Sequence, residues 1–143
     1  MIAIGSDHGG FELKEAVKRH LESRGIEYKD CGCYDKSSVD YPVYARAVAH
    51  LVADGSAEKG ILVCSTGIGI SIAANKVKGI RAALCSEPYS AKMTRLHNDA
   101  NILCMGGLVI GENLAMETVD TFLDTAFSGE ERHQRRIDLI EEQ

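Results

Sequence analysis

Five short strand-like runs punctuate this chain, and a stretch of helical spacing follows each one. The runs are "IAIGS" (2–6), "IEYKDCG" (26–32), "GILVC" (60–64), "IRAALC" (80–85) and "NILCMGG" (101–107). Only 26–32 alternates; the others are apolar on both sides. A strand apolar on both sides must be covered on both faces, the arrangement of a parallel sheet between two helical layers. Between the runs, 11–25 carries Leu13, Ala16, Val17 and Leu21 at helical spacing, with Gly25 as a stop. Helices are likewise predicted over 43–55, after the "DYP" at 40–42, and over 69–77, 88–98, 113–127 and 130–142. The reading is a doubly wound α/β sandwich with right-handed crossovers, residues 1–143 forming one domain.

Ligands of such folds sit beyond the carboxyl ends of the strands. Asp7 and His8 follow the first strand there, Cys64, Ser65 and Thr66 the third, and Gly106-Gly107 the fifth. His97 and Asn98 end the helix before the fifth strand. The last helix is unusual: Glu130 to Arg136 is almost wholly polar, and its apolar residues gather at the far end. Part of it is expected not to pack on its own domain.

The stretch "CSTGIGISIAANK" (64–76) sets a thiol before a glycine-studded turn. Three familiar phosphate readers fail here on named residues. The dinucleotide fingerprint needs a third glycine where Ile72 stands, and the loop follows the third strand and not the first. A Walker A loop needs a Gly-Lys-Ser/Thr that is missing. A cysteine-phosphatase loop needs an arginine where Ile70 stands. What remains is a turn in which Gly67 and Gly69 leave backbone N–H groups unobstructed, followed by a helix N-terminus. Such a cradle binds phosphate or stabilises an oxyanion formed during reaction, and the same field favours a thiolate nearby. Cys64 is therefore a candidate reactive thiol. The alternative is that it is a buried strand residue, as Cys85 and Cys104 are expected to be.

Each remaining candidate also has a plain reading. Asp7 can cap the first helix with His8 solvated. His97-Asn98-Asp99 can be an ordinary helix C-terminus. Arg132 and Arg136 share a helical face that suits a phosphate, or they pair with Glu130 and Glu131. No metal-binding pattern occurs: Cys31-Gly32-Cys33 is not the spacing of a zinc ribbon, and no His-Glu-x-x-His is present. The net charge of −5 argues against nucleic acid as a partner. No run reaches the ~20 apolar residues of a membrane span. The start "MIAIGSDHGG" lacks the features of a signal peptide. Five cysteines, an odd number, fit reduced thiols in the cytoplasm.

Taken in order, "GSDHGGFELK", "DYP", "C-x-TGIGISIAANK", "R-A-x-x-C-SEPYSA", "HNDAN" and "RHQxR" resemble the type B ribose-5-phosphate isomerases, whose family also holds galactose-6-phosphate isomerase subunits. The resemblance spans almost the whole chain. It implies a five-stranded parallel Rossmann-like sheet, and a homodimer, with pairing into tetramers left open. It implies an active site at the subunit interface, reached by the C-terminal helix, and a reaction without metal or organic cofactor. The implied reaction interconverts D-ribose 5-phosphate and D-ribulose 5-phosphate through an enediolate.

By the same resemblance Cys64 is the proton-transfer base. A second branch of the family uses a glutamate at the place of Ile70, which cannot ionise. Thr66 and His97 fall on residues that open the sugar ring. Asp7, His8, Tyr41 and Asn98 fall on sugar-contacting positions, with His8 also near the phosphate. Gly67, Ile68, Gly69, Ile70 and Ser71 supply amides around the enediolate, and Arg132 and Arg136 bind phosphate across the dimer. One position departs from the pattern. Where several members carry an arginine after the fifth strand, this chain has Leu108. One lost charge-assisted contact weakens phosphate binding by about 1.5–3 kcal/mol, so allose 6-phosphate or free aldoses join the expected substrates. Three other readings stand beside this one: a galactose-6-phosphate isomerase subunit, a non-catalytic phosphosugar-binding module, and a thiol-dependent hydrolase.

Overall fold

The computed structural model describes residues 1–143. β1 (Ile2–Ser6) leads through a 3-10 turn at His8–Gly10 into α1 (Phe11–Ser23). Then come β2 (Tyr28–Asp30), α2 (Tyr41–Ala53), β3 (Lys59–Cys64) and α3 (Ile68–Ala74). The chain continues with β4 (Ala82–Leu84), α4 (Pro88–Asn98), β5 (Ile102–Gly106), α5 (Glu112–Asp124) and α6 (Glu131–Glu141). The strands form one sheet in the order β2-β1-β3-β5-β4, every pair parallel.

Side chains of the three central strands divide between two cores as a period of two requires. Ile2, Ile4, Ile61, Val63, Leu103 and Met105 face α1, α4 and α5. Ala3, Leu62, Cys64, Ile102 and Cys104 face α2 and α3. Both faces are buried, which is why these runs do not alternate. The edge strands are shorter than the sequence suggests, three residues each where 26–32 and 80–85 were expected. An edge strand has a partner on one side only, and its burial is correspondingly partial.

Helix ends shift for identifiable reasons. α2 begins at Tyr41, earlier than expected, because Pro42 fits the first turn, where its missing N–H is not needed. α3 stops at Ala74 and not at 77. The Asn75 side chain exchanges two hydrogen bonds with the Ala82 backbone, at 2.9 and 2.8 Å, and draws the chain towards β4. α5 ends at Asp124 and not at 127, where Thr125 turns extended and its carbonyl accepts from Arg95 Nε at 2.9 Å.

Lys14 is a buried charge at the junction of α1 and β2. Its Nζ donates to Asp30 at 2.7 Å, and Lys18 reaches the same carboxylate at 2.9 Å. Burial alone would push the Asp30 carboxyl up; the bonds from Lys14, Lys18 and the Gly32 N–H outweigh it and hold the group below its ordinary value of 3.8. A depressed carboxylate contributes stability above its unfolded pKa and loses it as pH falls through the folded one. Urea-unfolding stability is therefore expected to fall as pH drops through and below 3.8. In Asp30→Asn that part of the acid dependence disappears. Parallel pH curves for the two proteins would show that Asp30 carries none of it.

Candidate active site

The chain reverses its direction of winding between β1 and β3, and the loops leaving β1, β3 and β5 converge there. The Asp7 N–H donates to the Val63 carbonyl at 3.2 Å, and Gly107 N–H to the Cys64 carbonyl at 2.8 Å. The fit is tight enough to require glycine at position 10, where a Cβ would lie 2.2 Å from the Val63 carbonyl oxygen. Asp7 is buried and its Oδ1 accepts from Gly10 N–H at 3.1 Å, so it caps the turn while sitting at this edge. His8 is held through Nδ1, which accepts from Val39 N–H at 3.2 Å.

Cys64 is the last residue of β3 and only 5% exposed. Its sulfur lies in the α2–α3 core beside Ile70 and Cys104, yet the Gly67 N–H donates to Sγ at 3.1 Å. Gly67 can do this because it is left-handed, at φ 79°, a conformation in which a side chain would meet Leu84 and the Met105 backbone. Cys64 thus packs as a core residue while its sulfur also faces the bend.

The bend supplies fewer open amides than the sequence suggests. Gly67 N–H is committed to Cys64, Ile68 N–H to Thr66 Oγ1 at 3.2 Å, and Ser71 N–H to the Gly67 carbonyl at 3.3 Å. The Ser71 hydroxyl donates to the Ile68 carbonyl. Gly69 and Ile70 alone of the five keep N–H groups with no acceptor in the chain. The Ile70 side chain is fully buried, so that residue offers only its backbone. Tyr41 closes the edge beside Gly69, where a Cβ would come within 2.8 Å of its ring.

The other predicted residues lie at the opposite end of the sheet. α4 returns antiparallel to the strands, so His97 and Asn98 reach the amino edge. There the Asn98 carbonyl accepts from Arg81 Nε at 2.9 Å, just before β4 begins, and Gly60 N–H bonds to Asn101. Gly60 and Cys64 are four residues apart on β3, about 13 Å. α6 packs on α4 through buried His133 and Ile137, while the rest of its polar first half stays exposed. Arg132 and Arg136 remain exposed, and Arg132 Nε is paired with Glu130 at 2.9 Å.

Sequence reasoning missed His133. Its ring stacks on His97 with centroids 4.4 Å apart. Burial, then the neighbouring His97 and Arg132, push its imidazole below the ordinary histidine range. The available signal was its place four residues before Ile137, on the inward face of α6.

One chain thus divides the candidate residues into two groups. Asp7, His8, Tyr41, Cys64, Thr66 and the 67–71 bend stand at the carboxyl edge. His97, Asn98, Arg132 and Arg136 stand at the amino edge. The cavities of the chain, about 910 and 660 Å³, lie at the α3–β4 turn beside the C-terminus and between α2 and α3, and neither includes Cys64. Exposed Tyr41, Val43, Ile68, Leu84, Leu108 and Val109 rim the carboxyl edge. Exposed apolar patches of this kind mark interaction surfaces or ligand-binding grooves. No His, Cys, Asp or Glu cluster is arranged to share a metal ion, and Cys31 and Cys33 are free thiols.

A protein-family model described as Ribose/Galactose Isomerase matches residues 2–140. The ribose-5-phosphate isomerase B of Escherichia coli K12 is 51% identical over 139 residues, 97% of this chain and 93% of that protein. Among solved structures, ribose-5-phosphate isomerase B of Clostridium thermocellum superposes with TM-score 0.97 at 51% identity, covering 99% of this chain and 95% of that one. The type B ribose 5-phosphate isomerase of Trypanosoma brucei gives 0.95 at 49%, covering 99% and 96%.

Proposed function

Since this chain belongs to the ribose/galactose isomerase family, we propose that it interconverts D-ribose 5-phosphate and D-ribulose 5-phosphate, with Cys64 as the base. Residues 1–143 act as one sugar-phosphate isomerase domain. The observation that carries the role of Cys64 is its sulfur, hydrogen-bonded by Gly67 N–H, at the start of a bend whose Gly69 and Ile70 amides have no acceptor in the chain.

In the reaction the Cys64 thiolate takes the C2 proton of the open-chain aldose. The C–H electron pair becomes the C1–C2 double bond of an enediolate, and the carbonyl oxygen takes up negative charge. Preorganised donors stabilise that charge without rearranging; here they are the Gly69 and Ile70 amides. The thiol returns its proton to C1 while the hydroxyl proton passes from O2 to O1, which leaves the ketose and restores the thiolate. Thr66 and His97 move the protons of ring opening. Asp7, Tyr41 and Asn98 hold the sugar. His8, Arg132 and Arg136 hold the phosphate and so place the reacting carbons.

This set of roles requires two chains. His97, Asn98 and the arginines lie at the far end of the sheet from their own Cys64, so they serve the Cys64 of a second copy. A twofold-symmetric dimer completes two such sites at once, because each surface meets the other's complement. The apolar rim at the carboxyl edge is then covered, and α6 brings its arginines to the partner. Unpaired cysteines throughout suit a reducing, cytoplasmic setting. No helix is long and apolar enough to cross a membrane.

The test is conversion of ribose 5-phosphate in deuterium oxide. Turnover with solvent deuterium entering at the exchanged carbon is expected; binding without exchange would leave a phosphosugar-binding module. Leu108 is 80% exposed at the carboxyl edge and presents no charge to a phosphate. Measurable turnover of allose 6-phosphate or free aldoses is therefore also expected. An enzyme inert on both allose 6-phosphate and free aldoses would refute that broader specificity.

A further inference from the structure

Lys14 has no part in the reaction above, yet its side chain is wholly buried. Its ammonium donates to both Asp30 oxygens, at 2.7 and 2.9 Å, and to the Cys33 carbonyl at 2.6 Å. The Phe11 and Tyr34 rings each lie 5.4 Å away. A buried ion pair is weak as a source of stability, since apolar side chains of similar shape often serve as well. What three fixed donor–acceptor pairs add is direction, and here they set where residues 30–33 lie.

From that anchor the chain returns to the site. Cys33 N–H bonds to the Ser6 carbonyl at 2.8 Å, one residue before Asp7. The segment then crosses the carboxyl edge, where Val39 N–H donates to His8 Nδ1, and enters α2 at Tyr41. A ring nitrogen that accepts carries no proton, so neutral His8 keeps its hydrogen on Nε2. That hydrogen is the one His8 has left to give an anion.

We infer that Lys14 and Asp30 are positioning residues: they anchor segment 31–40 so that Val39 locks His8 as the Nε2–H donor for the substrate's phosphate. The phosphate in this statement rests on the function proposed above; the tautomer is a property of the free protein.

Histidine-selective ¹⁵N NMR of the ligand-free enzyme reads the tautomer directly, with His8 assigned by comparison with His8→Asn. Wild type is expected to show His8 protonated on Nε2 alone. In Lys14→Met, Asp30 keeps Lys18 and the Gly32 N–H, so no carboxylate is stranded. The double variant Lys14→Met, Asp30→Asn also removes that charge. In both, the His8 signals are expected to move towards a tautomer mixture. KM for ribose 5-phosphate is expected to rise about tenfold, with kcat within about twofold.

A wild-type His8 protonated on Nδ1 would overturn the inference. Folded variants with unchanged His8 signals and KM would do the same, whatever their melting temperature. So would loss of fold in both variants, which would make the pair a core support and not a loop anchor. A wild type that shows the expected tautomer but does not isomerise ribose 5-phosphate would instead strike the proposed function and leave the anchor standing.

Discussion

Cys64→Ala is expected to lower kcat for ribose 5-phosphate by about 10³–10⁴-fold, the upper range for loss of a positioned base, in a protein that stays folded. The fold should survive because the substitution removes one sulfur from a site otherwise walled by Ile70, Cys104 and their neighbours. Its cost is about 1 kcal/mol, the centre of the range for single substitutions. Cys64→Ser separates acidity from hydrogen bonding. A hydroxyl still accepts from Gly67 N–H but does not ionise near neutral pH, so its turnover should match that of the alanine variant. Kinetics and thermal melts on both proteins make the check. Near-normal turnover in either would remove Cys64 from the reaction and leave it a core residue.

Mixing two inactive variants should restore activity. Cys64→Ala lacks the base, and His97→Asn lacks the group that the proposed dimer lends across the interface. In a mixed dimer one site loses both groups and the other keeps both. Random reassociation makes half of the dimers mixed, so about a quarter of wild-type activity should return. If Cys64 and His97 of one chain served the same site, each mixed dimer would contain two damaged sites and nothing would return. The experiment therefore discriminates sharply between two placements of His97. Pairing Cys64→Ala with Arg132→Ala should behave alike for phosphate binding. Unmixed controls taken through the same dissociation and refolding must stay inactive.

Much of this protein is legible along the chain. The three central strands are recognisable because they are apolar on both faces, and a parallel sheet is what buries both faces. The α/β class and the likeness to type B ribose-5-phosphate isomerases both stand. The bend at Gly67 is also readable, since a Gly-x-Gly turn signals backbone that a side chain would obstruct, and Gly67 is left-handed at φ 79°. Among the strands and helices, the errors fall at boundaries. They arise where single side chains override propensity, as Asn75 does by stopping α3 and Arg95 by capturing the carbonyl that follows α5.

Local patterning determined the strands, the helices and the bend at Cys64, because burial periodicity and backbone sterics act over a few residues. Only the tertiary structure decided which of the bend's amides stay free, since hydrogen-bond partners compete in space and not along the chain. It alone joined Lys14 to His8 through a loop and stacked His133 on His97. It also set His97 and the arginines at the far end of the sheet from Cys64. A helix that returns antiparallel to its strands must carry its last residues to the opposite edge, about 13 Å along β3 from Cys64, and spacing along the chain does not state how far apart the two groups end in space.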